Sequence, residues 1–148
     1  MEKVILEFQD EYRFLSNFYP SIIIVGDLRF GTVEHYYQSA KTNDQDWFLK
    51  IAWAKSPGQA KKLGRQAPVR EDWIQVRDKF MLQGLRYKFQ QNDKLMKKLL
   101  DTKNALLVEG NRWGDIYWGF DLREGIGQNR LGQMLMFIRH QYQKEKKK

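Results

Sequence analysis

The chain contains no cysteine. Disulfides, thiolate metal sites and thiol nucleophiles are therefore excluded. Only two histidines are present, His35 and His140, so an all-histidine metal site is excluded as well. Carboxylates could still hold a hard cation, but no ligand loop of the D-x-D-x-D-G type occurs. No apolar run reaches the roughly 20 residues of a membrane-spanning helix. The opening MEKVILEFQD lacks the charged and apolar regions of a signal peptide. No Pro/Ser-rich linker and no internal repeat divides the sequence. These absences point to a soluble cytoplasmic protein with no metal site, and 148 residues suit one domain of ordinary size.

What is present is apolar, aromatic and basic. A hydrophobic fraction of 42% supports a real core, and 14% aromatic residues can fill it or stack on a ligand. The net charge is +8, of which the last five residues, KEKKK, supply +3. A basic balance suits nucleic acid, phosphate or nucleotide ligands. The basic end itself, 144–148, is expected to be a disordered tail after a domain spanning 1–143.

Local signals then order the chain. KVILEF (3–8) reads as a short strand, and SIIIVGDLRF as a hairpin turning at Gly26-Asp27. Thr32 is a natural N-cap for the helix in GTVEHYYQSAK. DQDWFLKIAWAK is amphipathic and helical. Ser56 followed by Pro57 is a strong helix start. Glu71 to Gln91 reads as a long helix, with Asn92 placed to cap the next one, DKLMKKLLDT. ALLVEG is a short strand, 109–132 a Gly/Trp/Asp-rich loop, and RLGQMLMFIRHQYQ a closing helix. Strand and helix do not alternate regularly, so the inventory indicates an α+β fold, one compact and mainly helical domain with a few short strands.

Two stretches could carry chemistry. On a helix from Thr32 to Lys41, Val33, Tyr36, Tyr37 and Ala40 fall on one side. Glu34, Gln38 and Lys41 form a stripe along its edge, where a pocket wall would place them. Glu34 lies in the first turn, where the helix dipole favours a carboxylate. The same residues could equally be surface groups, with Glu34 pairing with Lys41. His35 lies further round and has no partner ligands at metal spacing. The second stretch, Glu109 to Gly132, mixes Asp115 and Asp121 with Trp113 and Trp118, then Gly125, Gly127 and Asn129 ahead of a helix. An indole could stack on a ligand ring, and a Gly-rich helix start could receive phosphate. An ordinary loop with Trp118 in the core is the other possibility.

The blocks EYRFLSNFYPSIIIVGDLRFGTVEHYYQSAK, SPGQAKKLGR, DWIQVRDKFMLQGLRYKF, LVEGNRWGDIYWGF and GIGQNRLGQMLMFIR together resemble the NADAR (YbiA-like) family. The resemblance runs from about Phe8 to Arg139 and keeps the family's block order. It implies a cytoplasmic N-glycosidase that needs no metal or organic cofactor. The substrates it implies are ribosylamino-pyrimidine phosphates of riboflavin biosynthesis or ADP-ribose attached to guanine in nucleic acid. A non-catalytic module binding ADP-ribose or nucleic acid is the alternative. Residue by residue, the resemblance carries over Ser16, Asn17 and Phe18, then Glu34, His35, Gln38 and Lys41, then Asp115, Trp118 and Gly119, and finally Gly127, Asn129 and Gly132. Phe120 stands where the family commonly has glycine. Glu34, Lys41 and Asp115 are the catalytic candidates. Asn17, Phe18, Gln38, Trp118, Gly119, Gly127 and Asn129 are the substrate-binding candidates. The partner is then a phosphorylated ribosyl compound or modified nucleic acid, and no membrane.

Overall fold

The computed structural model describes residues 3–146. The order is β1 (Val4–Ile5), a 3-10 helix (Asp10–Leu15), β2 (Ile23–Val25), β3 (Leu28–Phe30), α1 (Val33–Ala40), α2 (Gln45–Ala52), α3 (Pro57–Gln66) and α4 (Trp73–Gln90). There follow α5 (Asp93–Asp101), β4 (Leu106–Leu107), β5 (Gly110–Asn111), β6 (Phe120–Asp121) and α6 (Arg130–Lys146). The fold is α+β, mainly helical, with its strands paired only in twos.

The chain groups into two compact units. One is continuous, residues 17–93; the other is discontinuous and joins 3–16 to 94–146.

In the continuous unit, β2 and β3 form the expected antiparallel hairpin, with Val25 opposite Leu28 across Gly26-Asp27. Thr32 caps α1, its Oγ1 accepting from the His35 N–H at 3.1 Å. Asp44 caps α2 and Ser56 caps α3 in the same way, each accepting an N–H at 3.1 Å. Helix α1 packs against α2, α3 and α4, and all eight of its residues are buried. Aromatic edges lock it in place: Tyr36 meets Phe30 and Tyr87 edge-on, and Tyr37 lies 5.1 Å from the Trp73 ring.

Helix α4 starts at Trp73, two residues after the expected Glu71. Asp72 stands at its N-cap but caps nothing, because its carboxylate is engaged by the Arg70 guanidinium at 2.6 and 3.1 Å. At the far end, the Asn92 amide turns back and donates to the carbonyls of Lys88 and Ile22. Within α4, Lys88 is 0% exposed. Its ammonium lies 5.3 and 6.0 Å from the rings of Phe89 and Tyr19. Desolvation pushes its pKa down to about 7.

In the discontinuous unit, β1 runs parallel to β4, Val4 facing Leu106 and Ile5 facing Leu107. Helix α6 packs on β4, burying Leu131, Leu135 and Ile138. The helix continues to Lys146, past the point where the sequence suggested a disordered tail. Gln, Lys and Glu are good helix formers, and lysines suit the negative end of the dipole. The rest of that tail, 147–148, lies outside the described residues. Among the described residues, no helix is long and apolar enough to cross a membrane.

Candidate functional site

Helix α1 does not have the half-exposed polar stripe that its sequence allowed. Glu34 and Gln38 are each 7% exposed, as buried as the apolar side. One turn apart, they meet directly: Gln38 Nε2 donates to Glu34 Oε1 at 2.8 Å. The Glu34 N–H also donates to the Asn17 carbonyl at 3.2 Å, which ties Asn17 to the first turn of α1. Lys41 sits just past the helix as its C-cap, half-buried. Burial lowers its pKa; the nearby Glu34 charge raises it and Arg65 lowers it. Burial dominates, so the amine loses its proton more readily than an ordinary lysine.

The side chain of Asn17 is 8% exposed. Its Nδ2 donates to the Met81 sulfur at 3.3 Å, and its Oδ1 has no hydrogen-bond partner. A thioether cannot donate, so the orientation of the amide is set and a buried acceptor is left open. Phe18 is 38% exposed. Beyond Lys41, a cleft of about 560 Å³ is lined by Thr42, Asn43, Asp44 and residues 68–72. None of the candidate residues lines it.

His35 is structural. Its Nε2 lies 3.0 Å from the Ala54 carbonyl, which can only accept, so Nε2 carries the proton. Nδ1 then accepts from the Thr32 hydroxyl at 2.8 Å. Burial lowers the imidazole pKa, and the Ala54 bond opposes this in part. A neutral ring with both nitrogens bonded has no free lone pair for a metal or a proton transfer.

The discontinuous unit holds the other candidates in a loop built around Asn111, which the sequence did not single out. Asn111 is 1% exposed. Its Oδ1 accepts from the N–H groups of Trp113 and Asp115, and its Nδ2 donates to the Asp115 carbonyl at 2.8 Å. Nδ2 also lies 3.3 Å from Glu109 Oε2. The available signal was an Asn directly after an apolar strand, a residue that bonds readily to backbone two to four positions on. Asp115 has a similar task. Its Oδ1 accepts from Tyr117 N at 3.2 Å and Trp118 N at 3.0 Å. Trp118 is half-buried and meets the Tyr117 ring edge-on at 4.9 Å.

The glycines here are close-approach positions. A β-carbon on Gly119 would fall 1.9 Å from Glu109 Oε2, and one on Gly132 would fall 2.1 Å from the Leu107 carbonyl. Gly127 has φ +152, and a β-carbon there would fall 2.5 Å from the Gly119 carbonyl. Asn129 clamps the strand to the helix: its Nδ2 donates to the Leu107 carbonyl and its Oδ1 accepts from Glu109 N, both at 2.9 Å.

The start of α6 is not the open phosphate cradle that its Gly-rich approach suggested. The N–H groups of Gln128, Asn129, Arg130 and Leu131 already donate to the carbonyls of Ile116, Gly119, Tyr117 and Trp118. A helix end whose donors are engaged has little left for an anion.

Comparison with known proteins places these blocks in context. N-glycosidase YbiA of Escherichia coli is 38% identical over 151 residues, covering 99% of this chain and 93% of that protein. An N-glycosidase of Nostoc punctiforme is 36% identical, covering 88% of this chain and 85% of that one. A riboflavin biosynthesis protein of Vibrio vulnificus is 38% identical over 90% of this chain, which corresponds to 36% of that longer protein. The NMR structure of Escherichia coli YbiA matches with a TM-score of 0.87, covering 99% of this chain and 89% of that one. With residues 6–143 matching the NADAR domain, the chain belongs to the NADAR domain family.

Proposed function

We propose that this chain is an N-glycosidase that hydrolyses the bond between a base nitrogen and the ribose carbon of a phosphorylated ribosyl compound. The observation that carries the reading is the Glu34 carboxylate. It is buried, held by the Gln38 amide at 2.8 Å, and electrostatically coupled to the half-buried Lys41. Departure of the base leaves oxocarbenium character on the sugar carbon, and a fixed carboxylate in a dry setting stabilises that charge. The same carboxylate takes the proton of the incoming water as its oxygen bonds to that carbon. The base leaves with both bonding electrons and takes a proton from solvent, and Glu34 returns the proton it took from water to solvent.

Asn17 Oδ1, the open buried acceptor, suits a donor such as a sugar hydroxyl. Phe18, beside Asn17, is a proposed stacking surface for a ring. Asp115 and Asn129, whose side chains bond to backbone, are proposed to act by shaping the loop around Gly119 and Gly127.

Relatives named for riboflavin biosynthesis favour a ribosylamino-pyrimidine phosphate as substrate. The +8 net charge favours the second substrate class, ADP-ribosylated guanine in nucleic acid. Both are offered to the purified protein, and mass spectrometry looks for released base or ADP-ribose. Release from either, lost by at least about 100-fold in Glu34→Gln, is the expected result. Near-normal turnover in that variant removes Glu34 from the mechanism. Tight binding with no release identifies a binding module instead.

A further inference from the structure

Gln38 is fixed from two sides. Its Nε2 donates to Glu34 Oε1, which can only accept from it, so the amide orientation is settled. Its Oε1 therefore points away from Glu34, and it has no hydrogen-bond partner. What lies there is Gly64 on α3. A β-carbon at 64 would fall 2.0 Å from Gln38 Oε1, 2.9 Å from its Cδ and 3.2 Å from its Cβ. The Gln38 oxygen occupies the space that a side chain at 64 would fill.

Nothing in the backbone asks for glycine at this position. Gly64 lies inside a regular helix, where alanine is the better helix former. Its backbone is not in the left-handed region. The demand is for room, and it comes from a side chain that donates to Glu34.

We propose that Gly64 is a positioning residue for the glycosidase reaction: its missing side chain lets Gln38 lie against α3 and present Nε2 to Glu34. This rests on Glu34 being the catalytic carboxylate. A methyl group at 64 displaces Oε1 and Cδ, the amide swings, and Glu34 loses the Gln38 donor. A buried carboxylate that loses a donor is harder to ionise and free to rotate. Lys41 is coupled to Glu34 and to Arg65, and His35 is neutral and bonded elsewhere.

The test compares wild type with G64A, Q38A, the double variant G64A/Q38A, and E34Q. Hydrolysis of a ribosylamino-pyrimidine phosphate gives kcat, KM and the acid limb of the pH profile. NMR titration of the labelled Glu34 carboxyl reads its environment with no substrate present. For G64A the expected result is a fall in kcat of about 10- to 100-fold with KM within about threefold. The acid limb and the Glu34 titration midpoint both move to higher pH. Q38A gives the same shifts, and the double variant is no worse than either single one, because both act through one bond. An unmoved Glu34 midpoint and kcat in a folded G64A overturn the proposal. So does a double variant whose losses add. If G64A alone fails to fold, G64A/Q38A relieves the clash and is compared with Q38A; any further loss in the double again overturns it. An active E34Q defeats the catalytic reading of Glu34. An inactive E34Q beside an unaffected G64A defeats only the role of Gly64.

Discussion

Replacing Lys88 by methionine should remove a pH-dependent component of stability. In the folded protein the Lys88 pKa is pushed down to about 7 by complete burial, against 10.5 for an exposed lysine. Below about pH 7 both states carry the charge, and the folded state bears a desolvation penalty. Between about 7 and 10.5 the unfolded chain binds one proton that the folded protein does not, so stability rises with pH. The slope is about 1.4 kcal/mol per pH unit, and the window amounts to about 5 kcal/mol. Methionine has similar length and no charge, so Lys88→Met lacks this contribution at every pH. Urea unfolding of both proteins from pH 6 to 10 measures the difference, in which other titrating groups cancel. The stability of the variant relative to wild type should fall by about 1.4 kcal/mol per unit above pH 7.5. A difference that stays flat across that range refutes the reasoning, because it means that Lys88 titrates alike in both states.

Thr32→Ala removes the cap of α1 and the hydroxyl bonded to His35, and should lower unfolding free energy by about 1–2 kcal/mol in urea titrations. Asp115→Asn keeps an oxygen acceptor for Tyr117 N and Trp118 N, so turnover should stay within about tenfold of wild type, whereas Asp115→Ala should lose the turn and shift tryptophan fluorescence. Equal, severe loss in both would restore a catalytic charge at Asp115. Borohydride added during turnover should trap a covalent sugar adduct on Lys41 if its amine attacks the ring-opened ribose, with Lys41→Arg giving none. Absence of adduct in the wild type leaves Lys41 with an electrostatic role.

The parts of the fold legible in the sequence are those set by neighbouring residues. Thr32, and Ser56 with Pro57, mark helix starts because a cap needs only one oxygen at one position. Gly26-Asp27 marks its hairpin for the same local reason. The geometry of the candidate site was half legible. Periodicity put Glu34, Gln38 and Lys41 on one stripe, yet it could not show that α2, α3 and α4 enclose α1. Burial is decided by partners distant in sequence, and a polar stripe reads alike whether it faces water or another helix. The backbone bonds of Asp115 and Asn129 were not legible for a related reason. A loop carboxylate or amide can serve a backbone N–H as well as a substrate, and sequence spacing does not show the backbone partner. KVILEF and ALLVEG read as strands, but the two-residue parallel pairing of β1 with β4 leaves too short a pattern to show which strand meets which.

Because every residue of α1 is buried, its amide hydrogens reach solvent only through large-scale opening of the unit that contains it. The proposed catalytic carboxylate is thus mounted on an enclosed helix and not on a loop. Such an arrangement acts as a template cut in advance: the charge stands where it is needed before any ligand arrives. Adjustment to ligand shape then falls to exposed positions such as Phe18, while the reacting group stays still.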